Sequence, residues 1–377
     1  MEKHPLVMNG RTCEFTPGQT ILEVAEEHGI HVPTLCYLKG ASPTGACRIC
    51  IVEVEGSRSL VASCSTPASR DMVIHTDSRR VIEARRLNIE LLLASGEHNC
   101  LVRGGDADSW ADMQLQAMES PEHRDICPSY GDCRLQDLAI EYQVRESRFR
   151  ISKSPFLSET LNPFIVRDFS RCILCGRCVQ ACNEIVVNRA ISFAYRGTEC
   201  KVVTKGDRPY HESDCVFCGQ CVEVCPVGAL SEKKALGSAS ACDMEKARTT
   251  CPYCGVGCQM WLHVDQGKIR KVTAVENGSP NKGRLCVKGR FGYDFIYSEE
   301  RLKTPLIREE NGNFRSASWD EALDTVAKGF KDIIEKHGPD AIAGVSCARS
   351  INEDSYQMQK LFRAVFGTNN IDHCART

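Results

Sequence analysis

The residues that could do chemistry in this chain are its cysteines, 24 among 377 positions. Most stand in short runs: "CILCGRCVQAC", "CVFCGQCVEVCP", "CPYCGVGC" and "GACRIC". Thiols two residues apart are too close for orderly pairing into disulfides, whereas thiolates at that spacing converge on metal. The compartment decides between the two chemistries. The opening "MEKHPLVMNGRTCEF" has neither an apolar signal core nor a twin arginine, so the reading is a cytoplasmic protein whose thiols stay reduced and bind metal. A formal net charge of −2 gives no footprint for nucleic acid. The apolar stretch "LNIELLLA" is too short and too charged to span a membrane.

The first two runs each read C-x2-C-x2-C-x3-C, the spacing with which bacterial ferredoxins hold [4Fe–4S] clusters. In that pattern the fourth cysteine ligates the other cluster. Cys172, Cys175, Cys178 and Cys225 are then one ligand set, and Cys215, Cys218, Cys221 and Cys182 the other. Pro226 follows the second run as the pattern asks; Asn183 takes that place in the first. Cys36, Cys47, Cys50 and Cys64 form a set suited to one [2Fe–2S] cluster on a glycine-bearing loop whose amides can face the sulfurs. Zinc is the competing reading there. Cys251, Cys254, Cys258 and Cys286 make C-x2-C-x3-C-x27-C, whose x3 gap is not that of a zinc ribbon. A fifth, looser set comprises His98, Cys100, Cys127 and Cys133, with His123 competing for the imidazole role. Of the remaining cysteines, Cys13, Cys200, Cys242, Cys347 and Cys374, the first and fourth lie on strand-like apolar runs and read as buried small hydrophobes.

These motifs carry family resemblances. The Cys36–Cys64 set resembles the N-terminal module of complex I-type large subunits and iron-only hydrogenases. Those families also hold a [4Fe–4S] cluster by one histidine and three cysteines in H-x3-C-x2-C-x5-C. Here the C-x5-C part and the following Leu-Gln-Asp match, while the first gap is one residue and 26 residues precede Cys127. "CPYCGVGC", "GRLCVKGRFGYDFI" and "INEDSYQMQKLFRAVFGTNNIDHCAR" resemble the catalytic alpha subunit of molybdopterin-dependent formate dehydrogenases. That likeness implies a [4Fe–4S] cluster on Cys251, Cys254, Cys258 and Cys286. It also implies that Lys288 lies between cluster and pterin as a cofactor-binding cation; its plain alternative is a surface lysine.

Elements must position these ligands. "LVMNGRTCEF" predicts a hairpin turning at Asn9-Gly10, and "TILEVAEEHGI" a helix stopped by Gly29. "ISFAY" and "CKVVTK" predict strands, and "MWLHVDQGKIRKVTAV" another hairpin. "SWDEALDTVAKGFKDIIEKHG" predicts an amphipathic helix with Trp319, Leu323, Val326, Phe330 and Ile334 on one stripe, Ser318 and Glu321 as a capping box and Gly338-Pro339 as its stop. "AIAGVSCA" predicts a buried parallel strand, and a second helix opens at Asn352 and closes at Gly367. The expected fold class is α+β and multidomain. It comprises a ferredoxin-like [2Fe–2S] domain over 1–95, a histidine-ligated segment over 96–145 and a two-[4Fe–4S] ferredoxin domain over 146–245. A molybdopterin-oxidoreductase [4Fe–4S] domain follows over 246–303, and the start of a molybdopterin-binding α/β domain over 304–377.

The formate dehydrogenase resemblance implies oxidation of formate to CO2, or the reverse, at a molybdenum or tungsten bis(molybdopterin guanine dinucleotide). One [2Fe–2S] and four [4Fe–4S] clusters would carry the electrons. In that family the "NNIDHCAR" segment is followed at once by the selenocysteine or cysteine that ligates the metal. The expectation is therefore that Thr377 is an artefactual or read-through-dependent end, that this chain holds no catalytic residue, and that as supplied it does not turn over formate. Cys374, placed short of that ligand, reads as a core cysteine. A parallel sheet cut after two strands would leave two helix faces without packing. The alternative function is a non-catalytic electron-transfer subunit of the complex I or bidirectional-hydrogenase type; a plain polyferredoxin is disfavoured by the helix–strand–helix tail. Expected partners are a flavin/NAD(P) subunit, a ferredoxin or a hydrogenase. No nicotinamide fingerprint is present in the chain itself.

Overall fold

The computed structural model describes residues 3–96, 98, 129, 131–144, 147–150, 155–236 and 243–374. The chain is α+β and multidomain, and it divides into two compact units. The first is Met1–Glu245 with His263–Lys271, and the second Lys246–Leu262 with Val272–Thr377.

In the first unit β1 (His4–Met8) pairs antiparallel with β2 (Arg11–Phe15). Asn9 and Gly10 make the turn with φ of 50° and 77°, the left-handed pair that suits the twist of a tight hairpin. Alternation then buries Leu6 and Met8 on one strand and Cys13 and Phe15 on the other, so Cys13 is a packing residue. Helix α1 (Ile21–Glu27) starts in a full capping box. The Thr20 hydroxyl accepts from the Glu23 amide at 3.3 Å, and the Glu23 carboxylate accepts from the Thr20 amide at 2.8 Å. Strands β3 (Ile51–Val54), β4 (Val61–Ala62) and β5 (Val73–His75) complete a five-stranded sheet in the order β2–β1–β5–β3–β4. Its core includes Leu6, Met8, Ile21, Leu22 and Ile74 together with Cys50 and Cys64.

Helix α2 (Arg79–Ala94), capped by Ser78, buries Val81, Arg85, Ile89 and Leu93 and packs on α3 (Arg134–Glu141). Beyond it β6 (Ile165–Arg167) pairs antiparallel with β9 (Leu230–Glu232), and β7 (Ile191–Ala194) with β8 (Lys201–Thr204). The one-turn helices α4 (Arg177–Gln180) and α5 (Gln220–Glu223) each follow the opening cysteines of a run. Residues 245–274 form a three-stranded sheet of β10 (Glu245–Thr250), β11 (Gln259–Asp265) and β12 (Lys268–Ala274), the last two joined at Gln266-Gly267.

In the second unit the short α6 (Val287–Phe291) leads to the hairpin β13 (Leu306–Arg308) and β14 (Phe314–Ser316). Then come α7 (Trp319–His337), β15 (Gly344–Ser346), α8 (Asn352–Lys360) and β16 (Ile371–His373), with β15 and β16 parallel. Here the structure corrects several expectations. The strand expected to be buried is not, with Val345 on β15 74% exposed, while the helix face expected to lack packing does lack it in part, Trp319 being 69% and Leu323 58% exposed. The described residues give this sheet only two strands, and its cover is a small group of Phe side chains. Phe362 is buried over Gly344 and packs on Phe366, itself 4.7 Å from Phe330 between ring centroids. Asn352 does not cap α8. Ile351 holds that place, and the Asn352 amide instead donates to the Gly255 carbonyl at 2.8 Å.

Candidate iron–sulfur centres

The loop between α1 and β3 brings Cys36 and Cys47 together, and β4 returns Cys64 to Cys50. The Cys36 amide donates to the Cys47 sulfur at 3.4 Å, and the Cys47 amide to the Cys36 sulfur at 3.5 Å. The Thr44 hydroxyl adds a second donor to the Cys36 sulfur at 3.7 Å. Hydrogen bonding from the Cys47 thiol pulls Cys36 down to about 5, and the same contact pushes Cys47 up. Cys50 is likewise pulled down to about 6 by Cys64, which is pushed up in turn. The Cys36 charge is also felt by Cys50 and Cys64. A buried arginine pins the loop from behind. Arg85 donates to the Ile49 and Ile51 carbonyls on either side of Cys50, at 3.0 and 2.8 Å, and to the Tyr142 hydroxyl at 2.9 Å.

The two ferredoxin-type runs fold as one motif used twice. Leu174 and Phe217, each two residues after the first cysteine, both sit at φ 52°. This left-handed conformation is uncommon for residues with a side chain. It aims their amides back at the sulfurs: Leu174 at Cys172, and Phe217 at Cys215 at 3.4 Å. Gly176 and Gly219 follow at φ 80° and 71°, the conformation only glycine adopts freely, and start α4 and α5. Four thiols then line one cavity, Cys172, Cys175 and Cys178 from the first run with Cys225 from the second, and Arg167 and Tyr210 stand in its wall. Burial raises Cys172 to about 11 and Cys175 to about 12, and it raises Cys178 as well. Cys172 feels the charge of Cys225, whereas Cys215 feels Cys218 and Cys182. The Cys182 sulfur also accepts from the Ala190 amide at 3.3 Å. Cys225 of the second run thus lies with the thiols of the first, and Cys182 of the first run lies near Cys215.

Of the fifth set, Cys100, Cys127 and the competing His123 lie outside the described residues. His98 is buried, and burial, with the Arg171 charge adding to it, lowers its imidazole to about 4, the neutral form that ligates metal. Cys133 is buried at the start of α3, in an apolar cluster that also touches Cys47, Cys172, Cys175 and Cys225.

In the second unit the Cys251 amide donates to the Cys258 carbonyl at 2.8 Å, closing the run into a ring. Cys251 is buried and accepts from the Tyr253 amide; Cys258 feels Cys251, Cys254 and Cys286 as charged neighbours. Cys286 caps α6. Lys288 lies on that helix, its ammonium 6.0 Å from the Tyr253 ring centroid, while its neighbour Arg290 is buried. A polar cleft opens at the C-terminal ends of β15 and β16, lined in part by Ser346, Cys347, Arg363, Asp372 and His373. Parallel α/β sheets bind ligands at that end. Cys347 and Cys374 are both exposed there with sulfurs 3.4 Å apart, so neither is the core residue its sequence suggested.

The donor sets fit iron–sulfur clusters. They offer soft thiolates, with backbone amides turned toward the sulfurs in every set where the run is described. Among the described residues no three ligand side chains close as tightly as a single ion requires, and a multi-iron cage holds its ligands further apart.

Comparison with known proteins agrees with this geometry. Residues 5–79 match the 2Fe-2S iron-sulfur cluster binding domain, and 162–231 the ferredoxin-like domain of NADH-quinone oxidoreductase subunit 3. Residues 244–298 match the molybdopterin oxidoreductase Fe4S4 domain, and 301–377 the molybdopterin oxidoreductase domain. The matched domains, in this order, are those of the N-terminal part of a molybdopterin oxidoreductase. An NADH-quinone oxidoreductase component of Rhizobium meliloti (strain 1021) is 36% identical over 98% of this oxidoreductase chain and 40% of its own length. A protein provisionally named a formate dehydrogenase in Staphylococcus aureus (strain USA300) is 32% identical over 100% of this chain and 39% of its own. The chain thus spans about 40% of the length of these relatives. A chain from the crystal structure of NAD+-reducing [NiFe]-hydrogenase in the H2-reduced state superposes with a TM-score of 0.53 at 27% identity, covering 63% of this chain and 91% of that one. The oxidoreductase assignment carries both [2Fe–2S] and [4Fe–4S] chemistry with it. The sequence reading missed the buried Arg85, Arg167 and Arg290, and the left-handed Leu174 and Phe217, since no local pattern marks an arginine for burial or a leucine for that conformation.

Proposed function

We propose that this chain is the electron relay of a formate dehydrogenase alpha subunit. In this reading Cys36, Cys47, Cys50 and Cys64 hold a [2Fe–2S] cluster. Cys172, Cys175, Cys178 and Cys225, then Cys215, Cys218, Cys221 and Cys182, then Cys251, Cys254, Cys258 and Cys286, hold [4Fe–4S] clusters. His98, Cys100, Cys127 and Cys133 hold another. The observation that carries the relay is the gathering of Cys225 with Cys172, Cys175 and Cys178 in one buried cavity. Formate oxidation releases CO2, one proton and two electrons. When bound, a molybdenum or tungsten pterin supplies the two-electron step and the clusters supply single-electron transfer. The protein's own part is to bury the thiols, turn amides toward them and keep water out. Arg177 adds a link between sets: it donates to the Leu35 carbonyl at 3.3 Å, beside Cys36, and feels the charges of Cys175 and Cys225. The relay in this reading runs from the pterin through the Cys251 set, the ferredoxin pair and the histidine-ligated set to the Cys36 set, toward a flavin/NAD(P) subunit, a ferredoxin or a hydrogenase as partner.

Formate is favoured by the "NNIDHCAR" segment, whose residues Ile371–His373 form β16 at the cleft edge, together with the complete Cys251–Cys286 set. The second reading, a relay without formate chemistry, is favoured by the NADH-quinone oxidoreductase relative and the hydrogenase chain. Purified anaerobically with its native partners, the holoenzyme should lose its visible iron–sulfur absorption on addition of formate. Loss on addition of NADH, with formate inert, would establish the second reading instead. Among the described residues no helix is long and apolar enough to cross a membrane.

A further inference from the structure

Tyr210 is the most deeply buried polar side chain among the ring-bearing residues of the ferredoxin region, 1% exposed, yet its hydroxyl has no hydrogen-bond partner among the described residues. A phenol stripped of water in this way is costly unless something accepts its proton. The surroundings say what that acceptor is. Its amide is held by Glu159 at 2.7 Å, and the Arg167 guanidinium lies 4.3 Å from its ring centroid, so the ring is fixed on both sides. It stands in the wall of the cavity formed by Cys172, Cys175, Cys178 and Cys225. Its charged neighbours also include Cys221 and Cys215 of the other set. Arg167 is itself buried, paired with Glu159, and near enough to Cys172 and Cys215 to favour their thiolates.

We propose that the Tyr210 hydroxyl donates a hydrogen bond to a sulfur of one of the two clusters between which it stands, with Arg167 holding the ring in place, and so raises that cluster's reduction potential. The inference rests on the ligand sets proposed above. Its sign follows from charge. Reduction adds an electron to an already anionic cage, and a donor aimed at a sulfur stabilises the more negative state.

The test is an EPR-monitored redox titration of the full chain with its clusters assembled anaerobically. In Tyr210→Phe, which keeps the ring and removes the donor, one ferredoxin-type signal should titrate lower. The expected size is about tenfold in the reduction equilibrium, or about 59 mV for a one-electron couple. The [2Fe–2S] signal should not move, which separates this from a general loss of structure. Replacing Tyr210 by 3-fluorotyrosine, a stronger donor of nearly the same shape, should move the same signal upward. Equal potentials in wild type and Tyr210→Phe at equal iron content would overturn the proposal. If Tyr210→Phe fails to assemble clusters, the fluorotyrosine protein decides: an unmoved signal overturns the idea as well. Absence of ferredoxin-type signals from the wild type would instead defeat the ligand sets themselves.

Discussion

Each described set of thiols has a buried arginine beside it: Arg85 behind the Cys50 loop, Arg167 and Arg171 in the ferredoxin region, and Arg290 on the helix that Cys286 caps. A cage of four thiolates is a buried anion, and a buried anion persists only where charge or hydrogen bonds offset its lost hydration. The arginines supply charge and the amides of residues such as Leu174 and Phe217 supply hydrogen bonds. The exchange of fourth cysteines gives a test at this scale. Cys225→Ser should produce the same EPR defect as Cys172→Ser, although the two lie in different runs, and a defect unlike that of Cys218→Ser. If Cys225→Ser instead matches Cys218→Ser, the runs ligate without exchange.

Among the elements, α1 and α7 share a start signal but differ in what they bury. Thr20 and Glu23 cap α1, whose Ile21, Leu22, Val24 and Ala25 lie in the core of the [2Fe–2S] domain. Ser318 caps α7 by half of that box, the Glu321 amide donating to its hydroxyl at 3.2 Å while the Glu321 carboxylate pairs with Arg315, yet no residue of α7 is buried. Thr20→Ala should cost about 1 kcal/mol, read as a roughly fivefold loss of hydrogen-exchange protection in α1, with the [2Fe–2S] spectrum unchanged. An unchanged exchange rate would mean that packing alone sets the stability of that helix. These elements were legible because each depends on neighbours in sequence: the Asn9-Gly10 turn, the Thr20 box, the Ser318 cap, the left-handed Gly367. What packs on them was not. The stripe from Trp319 to Ile334 reads as a core face, but a stripe specifies only what a helix needs, not whether the chain supplies it. Val345 and Cys347 failed for the same reason, since "AIAGVSCA" is buried only if both faces of its sheet are covered. The ligand sets were the opposite case: cysteine spacing reports directly on convergence, whereas the positions of Tyr210 and the buried arginines depend on contacts between distant segments.

For the molecule as a whole, the cysteine cages and the apolar core are one structure. Cys50 and Cys64 belong to the core of the first sheet. Cys47, Cys172, Cys175 and Cys225 pack against the cluster of Leu35, Ile89, Leu93, Leu135 and Val227 that joins α2 to α3 and the ferredoxin region. Without metal Cys172, Cys175 and Cys178 would present neutral thiols, since burial raises all three above the ordinary range. The left-handed Leu174 and Phe217 would then keep their strain with weaker hydrogen bonds to set against it. Metal binding and folding should therefore be linked in the first unit. Stripping iron with a chelator under oxidising conditions should reduce exchange protection across 165–232 by on the order of tenfold or more, as whole segments open together. Helix α7, which buries none of its residues and contains no cysteine, should keep the protection it had. Full protection of 165–232 in the iron-free protein would show that the polypeptide alone builds these cages, and that the clusters enter a site already formed.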